Sequence, residues 1–202
     1  MDVYSGTGFG KSASFFGIDD PNFRGGARAS TGDINGDGRT DLIVVAGFGG
    51  GPRVAGYDGR SLGTGSPVKV FADFFAFEQG LRNGIFVAAG DIDGDGKAEL
   101  IAGGGPGGGP RITMFSGNAL LVNAQIPVGD FFAGDPNSRG GVRVAVKDLD
   151  GDNRADIISG SGTAAGSKVT AYFGKNINGI GQIPEAFSFD AFPGFAGGVF
   201  VG

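Results

Sequence analysis

Short apolar stretches separated by glycine-rich breaks run the length of the chain, and none carries a helical repeat. Residues 84–92, GIFVAAGDI, form one such stretch and lead into an acidic segment. Residues 98–104, AELIAGG, form a second that is apolar throughout. After a glycine-rich turn, residues 110–117, PRITMFSG, alternate apolar and polar positions as a half-buried strand does, and residues 124–134, AQIPVGDFFAG, supply a fourth. The pattern predicts four short strands and no helix. Pro52 and Pro110 stand beside glycine runs, where a strand can begin without losing a ladder hydrogen bond.

The same pattern recurs with a period of 57 to 58 residues. Gly26, Gly84, Gly141 and Gly198 each follow a Gly or Asn and precede an apolar stretch, at spacings of 58, 57 and 57. Aromatic clusters lie upstream of each, at Phe15/Phe16, Phe74/Phe75, Phe131/Phe132 and Phe187/Phe189. One domain over 1–202 is therefore expected, divided into a partial unit at 1–25, full units at 26–83, 84–140 and 141–197, and the start of a further unit at 198–202. Four short antiparallel strands per unit, repeated with glycine turns, predict an all-β fold of β-propeller blades, about three and a half in this chain. The open terminal blade is expected to meet either the rest of a longer chain or another copy.

Composition narrows the chemistry. Gly is 44 of 202 residues while hydrophobic residues make up 40%, so the chain can pack a core but must turn often. With no Cys and no His, thiol nucleophiles, disulfides, Cys/His zinc sites and imidazole acid–base catalysis are all excluded. A net charge of −5 argues against nucleic acid as a partner. No apolar run reaches the ~20 residues of a membrane span, and the opening MDVYSGTGFG has neither the basic nor the apolar region of a signal peptide.

The candidate chemistry lies in three acidic loops in register: DINGDGRTD (33–41), DIDGDGKAE (91–99) and DLDGDNRAD (148–156). Side-chain oxygens fall at positions 1, 3, 5 and 9: Asp33, Asn35, Asp37 and Asp41; Asp91, Asp93, Asp95 and Glu99; Asp148, Asp150, Asp152 and Asp156. The backbone carbonyl at position 7, from Arg39, Lys97 and Arg154, is the expected fifth protein ligand. Alternating hard oxygens on a tightly curled loop suit Ca²⁺, which takes six to eight of them in flexible geometry, better than Mg²⁺. Glycine at positions 4 and 6 allows left-handed backbone, and Asn153, which replaces the second glycine of the third loop, tolerates it best among other residues. An EF-hand would place Glu at position 12, where this chain has Val44, Ala102 and Ser159. Eleven of the 21 acidic residues sit in the loops, and three bound Ca²⁺ would bring the formal −5 to about +1. The first loop, with three carboxylates against four, is expected to be the weakest site.

The loop GDINGDGRTDLIV, the following GFGGGPRV (47–54) and the related GGGPGGGPRI (103–112) resemble the FG-GAP repeat family, whose blades build integrin α-chain propellers and many bacterial surface proteins. The third unit departs from it, with GSGTAAGSKV (160–169) lacking the proline. The resemblance implies Ca²⁺ in the loop between the first two strands of each blade. The leading expectation is a non-enzymatic extracellular or cell-surface scaffold or adhesion module with a protein or glycan as candidate ligand, since metal ligation already accounts for every acidic cluster and no other nucleophile-and-base constellation is present. A self-assembling unit and a carbohydrate-binding propeller are the alternatives. Arg53, Arg111 and Lys168, and Asp73, Asp130 and Asp190, recur in register, which favours structural roles over a unique catalytic pair.

Overall fold

The computed structural model describes residues 1–202, and the strands follow the repeat. A hairpin of β1 (Asp2–Tyr4) and β2 (Lys11–Ser14) precedes the first four-stranded antiparallel sheet, β3 (Ala27–Gly32), β4 (Asp41–Ala46), β5 (Arg53–Tyr57) and β6 (Lys69–Phe75). The second sheet holds β7 (Ile85–Gly90), β8 (Glu99–Gly104), β9 (Arg111–Phe115) and β10 (Pro127–Phe132). The third holds β11 (Val142–Lys147), β12 (Asp156–Ser161), β13 (Lys168–Tyr172) and, at its edge, β15 (Phe187–Asp190). A two-residue strand, β14 (Gly179–Ile180), leaves the third unit and pairs in parallel with β10, giving the second sheet a fifth member. No helix is long and apolar enough to cross a membrane.

Beyond its position 9 acid, the second strand of the first and of the second sheet is apolar because both faces of its sheet are covered, whereas that of the third, DIISGS, carries two serines. All six residues of β4, DLIVVA, are buried, the pattern of a strand packed on both sides. Ile43, Val45, Val54 and Phe74 of the first sheet meet Ile85, Leu100 and Phe115 of the second. Phe86, Ile101, Met114 and Phe131 on the second sheet's other face meet Val144, Ile157 and Tyr172 of the third. The far face of the first sheet, Val44, Ala55 and Tyr57, is closed by Ile18 and Phe15.

Two side-chain series cross these boundaries in register. The ring of the fourth strand meets the ring that ends the third strand of the next unit: Phe15 with Tyr57 at 5.0 Å, Phe74 with Phe115 at 5.0 Å, and Phe131 with Tyr172 at 4.9 Å, all edge to face. Along the first strands, Arg28 stacks on Phe86 at 4.1 Å, and Arg143 stacks on Phe86 at 5.2 Å and on Phe200 at 4.8 Å, so Arg and Phe alternate through successive units.

The expectation of no helix needs one correction. Residues Gly117–Leu121 form a short α-helix, α1, capped by Ser116, whose side chain accepts from the Ala119 N–H. At five residues it is too short to imprint a periodic pattern.

Candidate metal centre

The first and second strands of each unit run to opposite sides of an acidic loop, and all three loops lie at one end of the sheets. In each, the position 1 carboxylate gathers backbone N–H groups. Asp33 accepts from Gly36, Asp37 and Gly38 at 2.7 to 3.1 Å, and Asp91 from Gly94, Asp95 and Gly96 at 2.7 to 3.1 Å. Asp148 accepts from Gly151 at 2.7 Å and Asn153 at 3.0 Å. Positions 3 and 5 each accept from the N–H two residues on, so Arg39, Lys97 and Arg154 donate to Asp37, Asp95 and Asp152. This curl requires left-handed backbone at positions 4 and 6. Gly36 and Gly38 take φ of 72° and 79°, Gly94 and Gly96 82° and 86°, and Gly151 and Asn153 81° and 64°.

Position 9 is the buried anchor. Asp41 and Asp156 are fully buried and Glu99 nearly so. One carboxylate oxygen accepts from the loop's position 2: Ile34 at 3.0 Å, Ile92 at 3.0 Å, Leu149 at 2.7 Å. The other accepts from a glycine just past the third strand: Gly59 at 2.9 Å, Gly117 at 3.3 Å, Gly174 at 2.8 Å. One side chain thus ties loop, second strand and third strand together. Burial, reinforced by the charges of Asp93 and Asp95 and opposed by the hydrogen bonds from Ile92 and Gly117, pushes the Glu99 carboxyl up to about 7. Burial raises that of Asp41 as well.

The structure brings positions 1, 3 and 9 together. Carboxylate oxygens of Asp91, Asp93 and Glu99 lie within 4.8 Å of one another, as do those of Asp148, Asp150 and Asp156. The donor set is all oxygen and anionic, which fits a hard divalent cation. In the first loop Asn35 stands at position 3, leaving Asp33 and Asp41 as the carboxylates of that face. Position 5 turns aside: Asp37 meets Arg60 Nε at 2.8 Å, Asp95 accepts from the Asn118 amide, and Asp152 lies 4.0 Å from Lys175 Nζ. In the third loop, Lys175 also contacts Asp150. An ammonium group already reaches into that cluster.

Sequence reasoning missed Gly59, Gly117 and Gly174, although they repeat at 58 and 57 residues. A Cβ at these positions would fall 2.1, 2.4 and 2.3 Å from the carbonyl oxygens of Thr40, Ala98 and Ala155, so only glycine lets the third strand's end approach the loop. The loops are also joined to each other. Ala98 N–H donates to the Asp33 carbonyl at 2.7 Å, and Ala155 N–H to the Asp91 carbonyl at 2.6 Å.

The recurring basic residues at the opposite end are each paired with a carboxylate. Arg53 forks onto Asp73 and Arg111 onto Asp130, while Lys168 pairs with Glu185 rather than with Asp190.

Residues 33–102, from the first acidic loop into β8, match the FG-GAP-like repeat family. No curated protein matches the chain. Among solved structures, the Bacillus licheniformis rhamnogalacturonan lyase PL11 is similar in fold at TM-score 0.50 and 19% identity, over 82% of this chain and 34% of that one. The rhamnogalacturonan lyase YesW aligns at TM-score 0.48 and 19% identity, over 82% and 34% of the two chains. The exotype rhamnogalacturonan lyase YesX aligns at 0.49 and 17%, over 83% and 33%. The chain spans about a third of the length of these lyases.

Proposed function

We propose that this chain is a calcium-stabilised, non-enzymatic repeat scaffold: an arc of four-stranded propeller-type blades, with units at 26–83, 84–140 and 141–197, serving as an extracellular scaffold or adhesion module. The observation that carries the reading is the pair of three-carboxylate clusters, at Asp91, Asp93 and Glu99 and at Asp148, Asp150 and Asp156, held in register by identical backbone hydrogen bonds. Positions 1, 3 and 9 with the position 7 carbonyl would hold the ion in each loop, and position 5 would join them on turning in from its present partner. Three Ca²⁺ are therefore expected, and millimolar extracellular calcium suits exposed, partly preformed loops of this kind. A scaffold role is supported further by Arg53–Asp73 and Arg111–Asp130, since these recurring charges serve the sheets. Equilibrium dialysis against ⁴⁵Ca²⁺ tests the reading. Three ions per chain are expected, and fewer than one would overturn it.

A second reading, association with a further unit of the same kind, draws on one specific observation. Phe189 stands where Phe74 and Phe131 stand in their units, yet is 53% exposed. Tyr4, which pairs with Lys11 as Tyr57 pairs with Lys69, is 56% exposed and offers the complementary ring. Concentration-dependent sedimentation in calcium buffer would support association between copies; a monomer at all concentrations would oppose it.

A further inference from the structure

The three acidic loops share a backbone but not a neighbour. The residue after the obligatory glycine is Arg60 in the first unit, Asn118 in the second and Lys175 in the third. The hydrogen bond from each glycine to the position 9 carboxylate fixes this residue beside its loop. Arg60 then meets Asp37 Oδ2 through Nε at 2.8 Å and the Asp37 carbonyl through Nη2 at 3.4 Å. Lys175 contacts Asp150 and comes within 4.0 Å of Asp152. Asn118 approaches Asp95 in the same way but brings no charge. Arg154 passes Gly94 of the second loop without pairing with its carboxylates.

Resting on the calcium reading above, we infer that residues 60 and 175 are tethered cations that compete with the metal for their own loops, and that the neutral Asn118 leaves the second site the tightest of the three. An ammonium held on Asp150 occupies an oxygen that a divalent ion needs. It must swing away before binding, and it repels the ion even after it has moved. Lys175 and Arg60 are partly exposed, so water receives them when they leave. The second loop combines four carboxylates with no tether, the third four carboxylates with one, and the first three carboxylates with one. This ranks the sites second, third, first. Without metal, Arg60 and Lys175 supply part of the neutralisation that calcium would provide, which lets the outer loops keep their shape at low calcium.

Amide NMR titration with CaCl₂ resolves the sites individually, because Gly38, Gly96 and Asn153 each report one loop. In the wild-type chain the Gly96 resonance is expected to saturate at the lowest calcium. Lys175→Asn should tighten the third site by about three- to ten-fold and leave the second unchanged, and Asn118→Lys should weaken the second by a similar factor. Both residues are surface positions, and an unchanged amide spectrum away from the loop confirms that each variant folds. Unchanged affinities in both variants, or a weaker third site in Lys175→Asn, would overturn the tether while leaving calcium binding intact. No calcium-dependent shift in any loop of the wild-type chain would overturn the calcium reading and the tether with it.

Discussion

The N–H of Ala155 donates to the carbonyl of Asp91 across 2.6 Å, joining the third acidic loop to the second, and Ala98 joins the second to Asp33 of the first at 2.7 Å. Each donor is the residue before a position 9 anchor, and each acceptor belongs to a position 1 ligand. An ion that fixes Asp91 therefore also fixes the seat of the next unit. On the calcium reading, the ion would act between units as well as within them. Hydrogen exchange checks the coupling: the Ala98 and Ala155 amides should exchange about ten-fold faster or more in EGTA than in calcium. Equal rates would limit the metal's influence to its own loop.

Gly59, Gly117 and Gly174 should each reject a methyl group. Gly117→Ala would set a Cβ 2.4 Å from the Ala98 carbonyl and break the hydrogen bond to Glu99. A loss of about 2 to 4 kcal/mol in urea denaturation is expected. Gly63→Ala is the control. Nothing lies within 4 Å of its Cβ position and its backbone is not left-handed, so its effect should stay within about 0.5 kcal/mol.

The aromatic series separates covered from open boundaries. Phe74 and Phe131 are buried against the next unit's ring, so either change to Ala should cost about 3 to 5 kcal/mol. Phe189→Ala, at the same register but half exposed, should cost less than about 1 kcal/mol in the isolated chain. A loss at Phe189 as large as at Phe131 would show that its ring is covered in solution.

Chelated protein should become less stable as pH rises from about 4.5 to about 7. The Glu99 carboxyl titrates near 7 in the folded chain against 4.5 when unperturbed, and that of Asp41 is raised in the same direction. Over this window the native state binds more protons than the unfolded state, so the unfolding free energy falls with rising pH, by on the order of 3 kcal/mol for Glu99. Calcium binds the ionised form and should remove or reverse that slope. The urea midpoint in EGTA at pH 5 and pH 7.5 measures it, and Glu99→Gln should flatten the dependence.

The strands and the acidic loops were legible because each leaves a local signature. Short, β-branched apolar runs such as LIVVA, bounded by glycine turns, favour strands covered on both faces, and Asp at alternating positions with glycine between favours a tight curl. Asn153 at φ 64° follows the same logic. Long-range features were harder to read. Gly59 and its equivalents look like ordinary turn glycines until the third strand is placed against the loop. Arg24, Arg82 and Arg139 recur at 58 and 57 residues, and only the structure shows each one bridging two carbonyls of its own linker. The transfer of β14 to the neighbouring sheet had no signal, since two residues of an irregular connection carry no periodicity. The alternation of Arg28, Phe86, Arg143 and Phe200 was visible in register, but its meaning depends on first strands lying side by side.

Thermal unfolding of the chain in millimolar calcium and in excess EGTA tests most directly whether bound metal holds the units together. Three ions bound well above their dissociation constants should raise the melting temperature by at least about 10 °C over the chelated protein. The same melting temperature in both buffers would contradict the account.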